Sequence, residues 1–130
     1  MKFALLITGA PYTTQASISA YHFAKAVIAK KHQIVQVFFF QDGVHHANNL
    51  IYIPTDELSI TSLWQQLAEQ ANFELAVCST SALLRGVIDE SLAQQYEKET
   101  NNFNAAFKMS SLAQFYEAIT QADRFLTFGN

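Results

Sequence analysis

The chain has 130 residues, half of them hydrophobic and 15% charged, which excludes a disordered tail and fits one folded domain over residues 1–130. Eight Lys and Arg stand against eleven Asp and Glu, and the basic residues are scattered, with Lys30-Lys31 the only adjacent pair. Without a cationic stripe to hold a phosphate backbone, direct binding of nucleic acid is not expected, and no apolar run approaches the ~18 residues that span a bilayer.

Phe3 to Thr8 is a short apolar run ended by Gly9 and Pro11, which predicts a strand buried on both faces rather than a signal peptide. Thr13-Thr14 is a capping signal for a helix over 15–31, where Ala16, Ala20, Phe23, Ala24, Val27 and Ile28 recur at helical spacing. Ile34 to Phe40 is β-branched and aromatic, predicting the next strand, and Gln41-Asp42-Gly43 ends it. Two strands and a helix within about 40 residues make a βαβ unit with parallel strands. A short helical turn follows over 44–49, then a loop over 51–58 with Pro54 and Asp56.

Leu63, Trp64, Leu67 and Ala68 share one face of a helix over 60–71. A third strand is predicted over 73–77, running at once into Cys78-Ser79-Thr80-Ser81 and a short helix over 82–87 closed near Gly86. The polar stretch 89–104 reads as a helix and then a loop, 105–109 as a short strand, and Ser110 or Ser111 as the cap of a helix ending at Gln121. Arg124 to Phe128 is the last strand. Alternating strands and helices predict a three-layer α/β/α fold around a mostly parallel sheet of about five strands. In such sheets chemistry sits beyond the carboxyl ends of the strands.

Cys78 is the one cysteine. That excludes an intramolecular disulfide, a CxxC redox pair and a multi-cysteine zinc site, and a lone thiol stays reduced in the cytoplasm, where the protein is expected. From the residues alone Cys78 has two readings. It is a small hydrophobe packed in the core, or a nucleophile at a strand end, where the free N–H groups of a helix start favour the reactive anion. A phosphatase loop needs C-x5-R, and Cys78 to Arg85 is C-x6-R with apolar Ala82-Leu83-Leu84 between, so a cysteine phosphatase is disfavoured. Arg85, roughly on the face of Cys78, reads as a surface cation that could attract an anionic partner or, more simply, as an exposed helix residue. A Cys-His dyad with His45 or His46 is possible, but adjacent loop histidines are more often solvated than catalytic. His22 and His32 read as surface residues, Asp42 as a turn residue, and no metal-ligand spacing stands out. Neither G-x-G-x-x-G nor a P-loop is present, so no cofactor is expected. Eleven Phe fill either a dense core or an interface.

Several stretches together carry a family resemblance: Phe3-Ala4-Leu5-Leu6-Ile7-Thr8-Gly9 with Tyr12 and Thr14-Gln15, then Val37-Phe38-Phe39-Phe40 with Asp42-Gly43-Val44 and Ala47-Asn48, and Trp64-Gln65-Gln66-Leu67. The most specific is Val77-Cys78 through Ala82-Leu83 to Arg85-Gly86-Val87 with Asp89-Glu90. Over nearly its whole length the chain resembles the DsrE-like sulfurtransferases, most closely the TusD type of subunit in the tRNA 2-thiouridine sulfur relay. The resemblance implies that Cys78 carries sulfane sulfur as a persulfide. It also implies assembly with TusB-like and TusC-like subunits in a heterohexamer, a TusA-like sulfur donor and a TusE-like acceptor. The pattern is broken at Thr13, Leu84, Ser111 and Ala113; Leu84, where the family has an arginine, removes a paired-arginine patch that could dock the donor. Open beside this reading are a non-catalytic assembly subunit, a related subunit of sulfur oxidation, and a small phosphatase or reductase.

Overall fold

The structure, a computed structural model, describes residues 1–54 and 59–129. The expected loop at 51–58 therefore lies partly outside the described residues, Asp56 included.

Five strands form one sheet in the order β4-β3-β2-β1-β5, every pair parallel. They are β1 (Lys2–Ile7), β2 (Gln33–Phe39), β3 (Glu74–Cys78), β4 (Lys108–Ser110) and β5 (Arg124–Phe128). The helices are α1 (Ala16–Ala29), α2 (Ile60–Ala71), α3 (Ser79–Leu84), α4 (Glu90–Gln95) and α5 (Leu112–Gln121). The predicted α/β class and parallel sheet are observed.

Strand side chains alternate between faces, so each strand feeds two cores. Leu5, Ile7, Val37, Phe39, Leu75 and Val77 point to the larger core, where α1 adds Ala20, Tyr21 and Val27 and α2 adds Trp64 and Leu67. Ala4, Phe38, Ala76 and Cys78 point the other way, into a smaller core closed by Phe115 of α5. Phe38 and Phe39 are thus both fully buried, on opposite faces, as a doubly covered strand requires.

Local chemistry explains where the elements differ from expectation. Gln15, not a threonine, holds the cap position of α1 and makes no side-chain cap; the Thr14 hydroxyl accepts from the Ala16 N–H at 3.3 Å. The helical turn after β2 begins at Gln41 and is a 3₁₀ segment to Ala47. Helix α3 starts three residues earlier than predicted, directly after Cys78. Its end is a Schellman closure: the Val87 N–H returns to the Ala82 carbonyl (2.9 Å) and Gly86 takes φ +72°. Helix α4 is only six residues, capped by the Asp89 carboxylate on the Leu92 N–H at 2.8 Å. β4 begins at Lys108 rather than Ala105, because the Asn104 side chain and carbonyl hold Ala106 and Phe107 in a turn. Ser111 caps α5 in a capping box with Gln114.

Candidate functional site

Cys78 is the last residue of β3 and the residue before the first turn of α3. Its place at the carboxyl edge of the sheet is as expected. Of the two readings of the residues, Cys78 has the burial of the packed one: only 3% of the residue is accessible, so it is not a nucleophile displayed to solvent. The cause is strand parity. In β3, Ala76 and Cys78 share a face, and that face packs on Phe38, Ala4 and Phe115, with Leu6 and Phe40 at its margin. Phe38 and Phe115 stack with centroids 4.5 Å apart and planes at 17°. The register partner of Cys78 on β4 is Ser110, whose hydroxyl donates to Gln114 Oε1 of α5 at 2.8 Å.

The loop after β2 stands beside the start of α3 and is tied to it. Gln41, in a left-handed conformation (φ 52°), donates its N–H to Ser81 Oγ at 3.1 Å. Arg85 is not a free surface cation. Its Nε donates to Asp42 Oδ1 at 2.8 Å and another guanidinium nitrogen donates to the Ser81 carbonyl at 3.2 Å. The guanidinium hydrogen bond holds the Asp42 carboxyl below its ordinary range. Asp42 therefore does more than turn the chain: it links the 3₁₀ segment to the end of α3. Gly43 sits where a Cβ would lie 2.2 Å from the Ile7 carbonyl oxygen, so this loop can cross β1 only with glycine.

His46 is neither solvated nor part of a dyad with Cys78. It is fully buried in the larger core, on the opposite side of the sheet from the thiol. Its Nδ1 lies 2.7 Å from the Gly43 carbonyl, which can only accept, so Nδ1 carries the proton. Its Nε2 accepts from the Ser17 hydroxyl, and Ser17 Oγ accepts from Trp64 Nε1–H at 3.1 Å. With a neutral imidazole, both His46 ring nitrogens, the Ser17 hydroxyl and the Trp64 N–H of this network are satisfied. Burial pushes the His46 pKa down to about 4. His45 is half-buried beside it and His22 is exposed, whereas His32 is half-buried, with Nδ1 2.8 Å from the N-terminal ammonium. Among the described residues no group of His, Cys, Asp and Glu could hold a metal ion.

A cleft of about 530 Å³ runs between Leu83, Gly86, Ile88, Leu92 and Tyr96, and Cys78 is not among its walls. Leu84, one of the departures from the family pattern, is 78% exposed on α3. The sequence reading missed Ser110 and Phe115 as neighbours of Cys78; only strand register and the return of α5 across the sheet bring them there. No helix among the described residues is long and apolar enough to cross a membrane.

Known proteins share this architecture and sequence. The profile of the DsrE/DsrF-like family matches residues 1–128. The DsrE protein of Allochromatium vinosum, assigned by its name as a sulfurtransferase, is 45% identical over 130 residues, all of both chains. The sulfurtransferase TusD of Proteus mirabilis is 39% identical over 128 residues, 98% of each chain. Among solved structures, the ychN protein of E. coli superposes with a TM-score of 0.75 at 19% identity, covering 98% of this chain and 99% of its own. The chain belongs to the DsrE/DsrF-like family, with the sulfurtransferase activity for which its relatives are named.

Proposed function

We propose that this chain is a single DsrE-like domain, residues 1–130, that carries sulfane sulfur on Cys78 between two other proteins of the cytoplasm. The observation that supports it is the place of Cys78: the one sulfhydryl of a sulfurtransferase, at the strand-to-helix junction on the carboxyl edge of the sheet. In the loading step the Cys78 thiolate attacks the outer sulfur of a donor persulfide. A Cys78–S–SH persulfide forms, the donor S–S bond breaks, and the donor leaves as its thiolate. In the delivery step an acceptor thiolate attacks that outer sulfur and Cys78 leaves as thiolate. Both steps follow thiol–disulfide exchange and need no external oxidant or reductant. A single cysteine cannot resolve its own persulfide, so the acceptor is another chain.

The likeness to TusD supports a TusA-like donor, a TusE-like acceptor, TusB-like and TusC-like subunits in a heterohexamer, and 2-thiolation of a tRNA wobble uridine as the end point. The higher identity to DsrE favours a second reading, a subunit of sulfur oxidation with a different donor and acceptor. The burial of Cys78 favours a third, an assembly subunit whose thiol only packs. Radiolabelled sulfane sulfur offered on each candidate carrier separates them. The relay reading predicts label on this chain from a TusA-like carrier, its passage to a TusE-like protein, and loss of both with Cys78→Ser. Label that reaches the acceptor equally well through Cys78→Ser overturns it.

A further inference from the structure

A thiol that exchanges sulfur with another protein must be reachable along the S–S axis, and at 3% exposure Cys78 is not. Resting on the persulfide reading of Cys78, we propose that α5 is a lid over the thiol, opening as a unit while the rest of the domain stays folded, with Phe115 as the residue that closes it.

The two faces of the sheet are covered unequally. Helices α1 and α2 share the larger core, but α5 alone closes the face of Cys78 among the described residues. It is ten residues long, buries Phe115 and Ala118, and reaches the smaller core through Phe115, Ile119 and, just past its end, Ala122. The aromatic contact with Phe38 and Phe125 lies toward β1, β2 and β5. On the β3–β4 side the helix is undercut. A polar cavity of about 260 Å³ lies between Gln36, Glu74, Lys108 and Ser110 of the sheet and Gln114 and Glu117 of α5. Gln36 Oε1 is buried there with no hydrogen-bond partner among the described residues. Ser110 in that wall is the register partner of Cys78, so the cavity ends one strand away from the thiol. Helix α5 is thus anchored by rings along one side, while along the other, beside the cavity, the hydrogen bond from the Ser110 hydroxyl to Gln114 Oε1 ties it to β4. Its start is held by the Ser111–Gln114 capping box and its solvent face carries exposed Leu112 and Tyr116. Few buried contacts and an exposed first turn are the features of segments that open locally below the global unfolding threshold.

The test is alkylation of Cys78 by iodoacetamide in the native full-length chain, read by intact mass, beside urea unfolding read by Trp64 fluorescence. Phe115→Ala risks the fold, so Ser111→Ala is used to loosen α5, and Val27→Ala on the opposite core is the control. The lid predicts a wild-type alkylation rate at least about tenfold above that allowed by global unfolding, with a shallow urea dependence. It predicts a rise of about fivefold for Ser111→Ala, the effect of one lost cap, and a change under about twofold for Val27→Ala. Three results overturn it: alkylation as fast as a free thiol, alkylation with the full urea dependence of unfolding, or equal sensitivity to both variants once global stability is accounted for. Sulfur loading is scored separately. A chain that opens α5 but takes no sulfur overturns the persulfide reading alone, and a chain that takes sulfur while alkylation follows global unfolding overturns the lid alone.

Discussion

Acidification from pH 7.5 to 4.5 should destabilise this domain through His46. In the folded chain its imidazole is neutral, with Nδ1–H on the Gly43 carbonyl, Nε2 on the Ser17 hydroxyl, and a pKa of about 4 against an ordinary 6.5. The folded value is depressed, so between these two pH values the unfolded chain binds the proton and the folded chain does not. Stability is therefore fully retained above pH 6.5 and is lost as the pH falls toward 4. Integrating that proton difference from pH 7.5 to 4.5 gives a loss of roughly 2–3 kcal/mol. Urea unfolding followed by Trp64, which shares Ser17 with His46, measures it. His46→Gln costs stability at neutral pH but removes this group from the titration, so its stability should fall by that much less over the same interval. Parallel pH profiles for wild type and His46→Gln would refute the neutral, buried imidazole.

Other outcomes follow from single contacts. Gly43→Ala should cost about 2–3 kcal/mol or abolish folding, since its Cβ meets a backbone oxygen that cannot move without shifting β1; the urea midpoint checks it. Ser17→Ala leaves Trp64 Nε1–H and His46 Nε2 buried without partners and should cost about 2–4 kcal/mol, with a shift in Trp64 emission. Arg85→Gln should return the Asp42 carboxyl from its lowered position toward 3.8, measured by NMR titration of its side-chain carbon.

Most of the fold was legible because its signals are local. The apolar run at Phe3–Thr8, the helical spacing from Ala16 to Ile28 and the turn residues at Gln41-Asp42-Gly43 each state their element within one window. So did the strand-to-helix junction at Cys78. The boundaries that moved did so through contacts outside the window. Ser81 reads as a loop residue until its hydroxyl is seen to accept from Gln41, and Ala105 reads as strand until Asn104 is seen to fold the chain back. The surroundings of Cys78 were not legible for the same reason. Whether a strand-end thiol faces solvent or a core depends on which face α5 returns to, and that is decided by the order β4-β3-β2-β1-β5 rather than by any residue near position 78. His46 was misread because an adjacent pair of histidines in a polar loop gives no sign that one of them turns inward onto Ser17 and Trp64.

The central claim is that sulfur resides covalently on Cys78. Its most direct measurement is the intact mass of the purified chain after incubation with a persulfidated carrier, with peptide mapping of the adduct. The account predicts a gain of about 32 Da, one sulfur atom, located on Cys78, reversed by a thiol reductant and absent from Cys78→Ser. An unchanged wild-type mass under conditions where the carrier loads another acceptor would contradict it.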